Sequence, residues 1–456
     1  MKKNILGIFA ICLLIISVFS FTGCGEIKLK GGPSSSDVVT DNGSLSVRYG
    51  DYLYFVNGYV SNANLSGKDN NYGNAKNGAI YRAKLENGKL MYDISEDEDG
   101  EEVKTLKNVE LLVPKIAGFE YTNLFIYDNT IYFTSPHTNK DDEGTIRFDL
   151  TDILAVSISG GKVYKIVSGA NFTSKDDFGV TSIDGKTIIT YLSDGKLNIV
   201  RVSKTKKEET KVVATSVTSM AFAESESDAG YVYYTRGFTE SEKASVGNVM
   251  AKANLLTGEE SILRKDNENT YKVIKVINDK IYYTRTNTLI TNEYIYSKNL
   301  SNFIESEEKQ YTVVAYSSEQ YIFDLGTGYQ NGVIVNENSK LLFLTGISSL
   351  ENDIITLFEG NFTVIGVSGE YIYGTNDNGD IVRVNIQTKA NEIIVSYDKN
   401  PYMDGKVKFD SEAGYIYYFV IHSGKSANGY YLHRTYLNEP EKTSELVGVV
   451  LESHIQ

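Results

Sequence analysis

Histidine side chains are the first residues to examine for chemistry, because an imidazole can act as a general base or bind a metal near neutral pH. The 456-residue chain contains four histidines, His137, His422, His433 and His454. None belongs to a spaced metal motif, and no Gly-x-Ser-x-Gly nucleophile elbow is present. A hydrolytic triad needs a nucleophile, a base and an orienting acid within hydrogen-bond reach. The sequence shows no such set, so we predict that the protein is not an enzyme and holds no metal and no cofactor.

An acidic run between Asp93 and Glu102 is the second candidate for chemistry. From Ser95 it has the Ser-x-Asp-x-Asp-Gly spacing that opens a calcium-binding loop. The twelfth position of such a loop would be Leu106, where a bidentate glutamate is required. We interpret the run as a solvated insertion between outer strands and not as a metal site.

A cysteine near the N-terminus is the third candidate. Lys2 and Lys3 precede an apolar run that ends at Phe21-Thr22-Gly23-Cys24. A small residue followed by cysteine at this point resembles the lipobox of bacterial lipoproteins. The resemblance implies that residues 1–23 are a signal peptide and that Cys24 is the lipid attachment site. An ordinary secretory signal and an uncleaved anchor helix are the alternatives.

The same resemblance implies where the protein lies. We predict that it is held at the cell membrane, on the extracytoplasmic face, by lipid on Cys24, since two or three acyl chains anchor stably. Residues 24–45 are rich in Gly and Ser and predict a flexible linker. The chain has two cysteines, and only Cys24 would remain in the mature protein, which excludes disulfides within it.

The formal net charge of −14 argues against nucleic acid as a partner, because phosphate-backbone binding needs clustered Lys and Arg. Removal of Lys2 and Lys3 with the signal would make the charge more negative still. We expect a monomer whose partners are the membrane, through the lipid, and a protein, peptide or cell-wall polymer ligand.

A repeated short strand organises residues 46–450. Its clearest copies are Val232–Thr235 and Ile281–Thr284, and a looser copy is Ile131–Thr134. Runs of Tyr, Ile, Val and Thr broken by Gly, Asn and Asp are typical of strands joined by tight turns. The copies recur at an average spacing close to the roughly 40–50 residues expected of four-stranded propeller blades, with a longer first interval that two insertions in blade one explain. We therefore predict an all-β fold, a single β-propeller of four-stranded antiparallel blades, with eight blades and seven as the alternative. Residues 451–456 would form a short tail.

The strands of blade two are predicted at Asn123–Tyr127, Thr130–Thr134, Thr145–Leu150 and Lys162–Val167. With 34 tyrosines in the chain, we interpret most of them as packing between blades and not as sugar-stacking platforms.

The repeat resembles a known family. Tyr233-Tyr234-Thr235-Arg236 and Tyr282-Tyr283-Thr284-Arg285 look like the Tyr-Trp-Thr-Asp motif of low-density-lipoprotein-receptor propellers, and Ile80–Ala83 and Ile381–Val384 fit the third strand of such blades. The whole chain looks most like bacterial lipoproteins that carry this propeller domain. Trp is absent, however, Arg replaces the Asp, and eight blades are predicted where the receptor domain has six. Receptor ligands and contact residues are therefore not carried over.

Loop length is the remaining functional signal. Loops between second and third strands should open on one face, and the long ones are predicted at Asn57–Gly78, Ser135–Gly144, Arg236–Gly247 and Arg285–Asn292. They carry Tyr59, Tyr72, His137 and Phe238. Because loops on a rigid scaffold often carry function, we predict that this face binds the partner.

We therefore predict a membrane-tethered binding or scaffolding lipoprotein without catalytic activity. The alternatives are a periplasmic scaffold for outer-membrane assembly, for which the warrant is architecture alone, and a glycan-acting lyase or hydrolase.

Overall fold

The structure is a computed structural model. It describes residues 26–33, 39–40, 42–60, 76–96, 102–140, 146–223, 230–242, 246–277, 279–287, 289, 294–311, 320–323, 332–337, 339–344, 354–396, 401–402, 408–410, 414–423, 428–438 and 444–450. Cys24, the predicted signal peptide and the predicted tail lie outside these residues. No helix of the described part is long and apolar enough to cross a membrane.

Almost every regular element is a strand. The first nineteen strands are β1 (Val39–Thr40), β2 (Ser46–Tyr49), β3 (Tyr52–Val56), β4 (Ile80–Lys84), β5 (Tyr92–Glu96), β6 (Glu102–Leu106), β7 (Val109–Val113), β8 (Leu124–Tyr127), β9 (Thr130–Lys140), β10 (Ile146–Ser157), β11 (Tyr164–Ala170), β12 (Phe178–Ile183), β13 (Lys186–Ser193), β14 (Lys196–Ser203), β15 (Lys206–Ala214), β16 (Val217–Phe222), β17 (Tyr231–Arg236), β18 (Asn248–Asn254) and β19 (Glu260–Asp266). A 3-10 turn, Lys175–Asp177, precedes β12.

The remaining strands are β20 (Asn269–Ile277), β21 (Lys280–Asn287), β22 (Tyr294–Asn299), β23 (Lys309–Gln310), β24 (Gln320–Phe323), β25 (Gly332–Glu337), β26 (Lys340–Leu344), β27 (Ile354–Glu359), β28 (Phe362–Ser368), β29 (Tyr371–Asn376), β30 (Ile381–Asn385), β31 (Asn391–Val395), β32 (Pro401–Tyr402), β33 (Lys408–Asp410), β34 (Tyr415–Ser423), β35 (Asn428–Tyr436) and β36 (Ser444–Leu446).

These strands form eight antiparallel sheets in sequence order, each with four principal strands. In blade one these are β2, β3, β4 and β7, with β1 added beside β2, and the hairpin β5–β6 is a separate insertion. In blade eight both β32 and β33 pair with β34. The predicted all-β propeller of eight four-stranded blades is thus confirmed within the described residues.

The buried apolar side chains join each blade to its neighbours. Seven hydrophobic clusters fill the spaces between neighbouring blades, and one of them joins blades eight, one and two. Second strands are central and buried, as all five residues of β3 show, whereas seven residues of the outer strand β15 are exposed. The predicted role of the tyrosines is confirmed, since Tyr233, Tyr282 and their neighbours are fully buried.

The ring closes between blades eight and one through polar contacts as well. The Asn57 side chain donates from Nδ2 to the Val449 carbonyl at 3.0 Å and accepts from the Val449 N–H at 2.8 Å. Tyr59 pairs with Tyr430 in an antiparallel bridge, and Tyr92 of the inserted hairpin donates its hydroxyl to the Leu446 carbonyl at 2.9 Å. The C-terminal strand is therefore fixed on the first blade.

Antiparallel blades give the molecule two faces. We call the face with the connections between first and second, and between third and fourth strands, the turn face. The opposite face, with the connections between second and third strands and between blades, is the long-loop face.

Blade two departs from the prediction. Its second strand continues to Lys140, so residues 135–140 of the predicted loop Ser135–Gly144 are strand, and residues 141–145 lie outside the described residues. Its third strand is Ile146–Ser157 and pairs with β9 mainly through Thr151–Ser157, so the predicted strand Thr145–Leu150 covers only its first part. The cause is a bulge: Arg147 is opposite His137, but Thr151 is already opposite Pro136. Three extra residues shift the register, which the alternating pattern does not reveal.

Part of the predicted linker lies on the propeller. Residues 26–33 run along the boundary between blades one and two, where Lys28 forms an antiparallel bridge with Gly160. Further on, β1 pairs with β2, and Ser44 bridges to Leu124 of blade two. These contacts use backbone groups, which is why a composition rich in Gly and Ser did not predict them.

Candidate functional site

The Tyr-Tyr-Thr-Arg motif forms a structural network within blades four and five. In blade four, the Tyr234 hydroxyl donates to Glu260 at 2.5 Å, and Arg236 reaches the same carboxylate at 2.7 Å. In blade five, Tyr283 and Arg285 bind Glu308 in the same way. The Arg that departs from the receptor motif therefore has a partner in a Glu at the start of the outer strand.

A second form of this network uses an Arg from the third strand. Arg82 in blade one binds Glu110 at 2.8 Å, and its guanidinium lies 4.7 Å from the centre of the Tyr52 ring. Blades seven and eight repeat the arrangement with Arg383–Glu392 on Tyr371 and Arg434–Glu445 on Tyr415. These residues hold blades together, so they are not the candidate site.

The side chains predicted to present a binding face divide into different roles. Tyr59 belongs to the ring closure, with its ring 5.9 Å from Phe419. Phe238 is half-buried on the long-loop face, beneath the ammonium of Lys265. Tyr72 lies outside the described residues. His137 is buried, and it leads to a site that the sequence did not predict.

A buried aspartate lies at the centre of this site. We use the name Asp152 cleft for the group formed by Asp152, His137, Lys165, Gly169 and Lys115. Asp152 is completely buried, and its Oδ1 lies 2.6 Å from His137 Nδ1 and accepts the Gly169 N–H at 2.8 Å. Its Oδ2 forms an ion pair with Lys165 Nζ at 2.7 Å. Three strands of blade two, β9, β10 and β11, thus supply the cluster.

The local backbone is shaped to hold this aspartate. The bulge before Thr151 re-aims the chain of β10, and two further irregularities in its pairing with β11 flank Ile153. Gly169 adopts φ +62°, which places its N–H on the carboxylate and leaves the His137 ring against its Cα side. Bulges that re-aim a side chain are common beside functional sites.

Lys115, from the connection between blades one and two, completes the charge distribution. Burial, followed by the nearby ammonium of Lys165, lowers the pKa of Lys115, while Asp152 acts to raise it. One carboxylate is thus in contact with the ammonium of Lys165 and within electrostatic range of the ammonium of Lys115. Such a group can bind an anion, and His137, oriented through Nδ1 by Asp152, is placed as a proton donor or acceptor.

Aromatic residues line the same end of the molecule. Tyr121 accepts a hydrogen bond from Thr134 Oγ1 through its carbonyl and leaves its ring half-buried. Its ring contacts Phe119 and Phe172, both at right angles, with centroids 6.0 and 6.1 Å away. Charged groups beside a partly exposed aromatic ring can bind a ligand that has both charged and apolar surfaces.

The other residues considered for chemistry are not brought together. His433 Nδ1 lies 2.9 Å from Ser444 Oγ on an outer surface, and His454 lies outside the described residues. The acidic run forms the hairpin β5–β6 at its two ends, and residues 97–101 are not described. In the described part of the chain, no group of three His, Cys, Asp or Glu side chains could hold a metal ion.

The comparisons with known proteins concern the fold alone. No protein-family model matches the chain, and no curated protein matches it in sequence. It is similar to the structure of an oligogalacturonate lyase in complex with manganese, with 11% identity, 77% of this chain, 97% of that chain and a TM-score of 0.43.

A prolyl endopeptidase structure shares 10% identity over 71% of this chain, with a TM-score of 0.41, and the chain spans 48% of its length. A nidogen/laminin complex shares 11% identity over 70% of this chain and 89% of that chain, with a TM-score of 0.28.

The likeness corrects one prediction. The sequence predicted that the protein is not an enzyme, and this prediction is contradicted, because the structures to which the chain is similar include a lyase and an endopeptidase. The resemblance to receptor propellers is confirmed at the level of the β-propeller fold.

Proposed function

We propose that the protein is a membrane-tethered, extracytoplasmic binding propeller, a bacterial lipoprotein with a receptor-like propeller domain and lipid on Cys24. The signal-like N-terminus and the lipobox-like Gly23-Cys24 support the tether. The eight-bladed ring supports the binding role, because it is a rigid platform with one face of longer connections.

The ligand binds at the Asp152 cleft and carries an anionic group, either a carboxylate or a phosphate. The observation that supports this most directly is the pair of ammonium groups, Lys115 and Lys165, around the single buried carboxylate of Asp152. In a chain with net charge −14, two ammonium groups beside one carboxylate are a local excess of positive charge, which favours an anionic ligand. A cell-wall polymer or acidic peptide has this chemistry.

Binding isotherms on the full propeller test the proposal. The probes are a uronate oligosaccharide, a polyphosphate and an uncharged glycan of similar length. One of the two anionic probes should bind the wild type. Replacing both Lys115 and Lys165 by Gln should weaken the binding of that probe by roughly ten- to hundred-fold, since a charge-assisted hydrogen bond contributes about 1.5–3 kcal/mol. Lys186→Gln, an exposed lysine on the turn face, is the matched control. Equal affinity in the double variant and the wild type would remove the cleft as the binding site.

A second candidate function is an enzyme that acts on an anionic glycan. The observation that favours it is the His137–Asp152 pair, since a carboxylate on Nδ1 orients an imidazole for general-base work. Incubation with the uronate oligosaccharide, followed by chromatography, would detect chain cleavage. His137→Gln should abolish cleavage and leave binding within a few-fold. Cleavage that persists in this variant would exclude His137 as the base.

A further inference from the structure

The segment Ile27–Gly31, which we call the docked segment, is built into the propeller. The Leu29 N–H donates to the Ser159 carbonyl at 2.8 Å, and the Gly161 N–H donates to the Ile27 carbonyl at 2.6 Å. The Leu29 side chain packs against the core shared by blades one, two and eight. Lys28 and Lys30, which alternate with these residues, are exposed.

Two residues of the propeller make contacts that exist only when this segment is in place. Arg82 is fully buried and donates from Nη1 to the Gly31 carbonyl at 3.1 Å and from Nη2 to the Lys30 carbonyl at 3.0 Å. Gly160 adopts φ +78°, and a Cβ there would lie 2.2 Å from the Ile27 carbonyl oxygen. Without the segment, the buried guanidinium would lose two acceptors, which is costly in a low-dielectric interior.

The segment lies on the turn face. Ser159–Gly161 follow β10, the third strand of blade two, and therefore belong to a connection between third and fourth strands. Cys24 precedes Ile27 by only three residues, which can span at most about 11 Å. The sulfur of Cys24 is thus confined to the neighbourhood of this turn.

We infer that the docked segment fixes the orientation of the propeller on the membrane: the turn face near blades one and two is held against the bilayer, and the long-loop face with the Asp152 cleft points away. This inference rests on the proposed lipidation of Cys24. In this arrangement the propeller is attached through a short, structured segment, whereas the composition of residues 24–45 predicted a flexible spacer.

The charge of the turn face is compatible with an anionic lipid surface. Exposed lysines lie on the docked segment and in or next to the turns of blades one to three: Lys28, Lys30, Lys89, Lys162, Lys186 and Lys204. Exposed acidic residues in the same places are Glu26, Glu86, Asp128 and Asp184, and the inserted hairpin, which belongs to the same connection of blade one, adds Asp93, Glu96 and Lys104. The described residues named for this region carry nearly equal numbers of positive and negative charges, whereas the chain as a whole has a net charge of −14, so charge does not oppose the placement of this face on the bilayer.

The test uses the full lipidated protein in vesicles of mixed anionic and zwitterionic lipid. Lys162→Cys on the turn face and Glu120→Cys on the long-loop face each receive a fluorophore, and energy transfer to a bilayer dye measures the distance to the membrane. The label at position 162 should be closer by roughly 20 Å, about the length of a strand of six residues. Equal distances, or position 120 nearer, would overturn the inference.

Gly160→Val tests the segment itself. It should abolish the difference between the two labels, because the new side chain cannot coexist with the Ile27 carbonyl. Gly185→Val is the matched control, since Gly185 has a similar φ of +70° and no atom within 4 Å of its Cβ position. A protein that does not partition with vesicles at all would instead overturn the proposed tether, and a difference between labels that persists in Gly160→Val would show that the segment does not set the orientation.

Discussion

At the scale of single residues, the repeated Tyr-Tyr-Thr-Arg motif has two roles: some of its side chains pack in the core, and its arginine forms ion pairs. The tyrosines and the threonine were recognisable from the sequence as strand residues. The partner of the arginine was not, because Glu260 and Glu308 are more than twenty residues away and lie just where the outer strands begin. A buried arginine requires a partner, and this requirement was the available signal.

The stability of the protein at acidic pH should depend on the ion pairs of Arg236. The hydrogen bonds from Arg236, and then from the Thr239 N–H, lower the pKa of Glu242 to about 2, from an unfolded value of 4.5. Because the folded pKa is depressed, the stabilisation is present above pH 4.5 and is lost as the pH falls towards 2.

Arg236→Gln should therefore be less stable at neutral pH and lose less stability on acidification than the wild type. Urea denaturation in steps between pH 7 and pH 3 measures both quantities. Parallel pH curves for the two proteins would contradict the assignment.

A second residue prediction concerns Asp152. Asp152→Asn removes the ion pair with Lys165 and changes a hydrogen bond to His137, so the free energy of unfolding should fall by about 1–3 kcal/mol. Asp176→Asn, an exposed aspartate on the same face, should change it by less than about 0.5 kcal/mol. Chemical denaturation compares the two variants, and equal stability would mean that the cluster is not held by this carboxylate.

At the scale of elements, the strands were predictable where residues alternate and turns are marked by Asp-Gly or Asn-Asp. In blade three, the turns at Asp184 and Asp194 adopt positive φ and divide the strands close to the predicted positions. The strand bounds predicted for blade two were inaccurate, because amino-acid composition does not reveal a bulge. The strand that follows the bulge carries Asp152 within an otherwise apolar run, and a charged residue there was the signal that a special environment existed.

The closure of the ring makes a prediction at this scale. Asn57→Ala removes both hydrogen bonds to Val449, which join the first blade to the last. The free energy of unfolding should fall by about 1–3 kcal/mol, and the C-terminal strand should show faster hydrogen exchange. Asn171→Ala, whose exposed side chain bonds to Asp194, is the matched control. Unchanged exchange in residues 444–450 of the Asn57 variant would show that closure depends on the apolar contacts alone.

At the scale of the whole molecule, periodicity predicted the architecture and not the site. A repeat identifies what the blades share, and the buried tyrosines serve that shared purpose. The Asp152 cleft and the docked segment occur once each, in blades one and two, so no repeat could reveal them. Together they give the propeller a polarity: one face is placed for attachment and the other for binding.

Photo-crosslinking on intact cells tests this polarity and the binding role in one measurement. A photoreactive residue at Glu120, next to Tyr121 on the long-loop face, should form a discrete adduct with an anionic polymer or peptide. The same residue at Lys162 on the turn face should not form it, and Lys165→Gln should remove it from position 120. An adduct of equal yield at both positions, or one at position 120 that is unaffected by Lys165→Gln, would contradict binding at the Asp152 cleft.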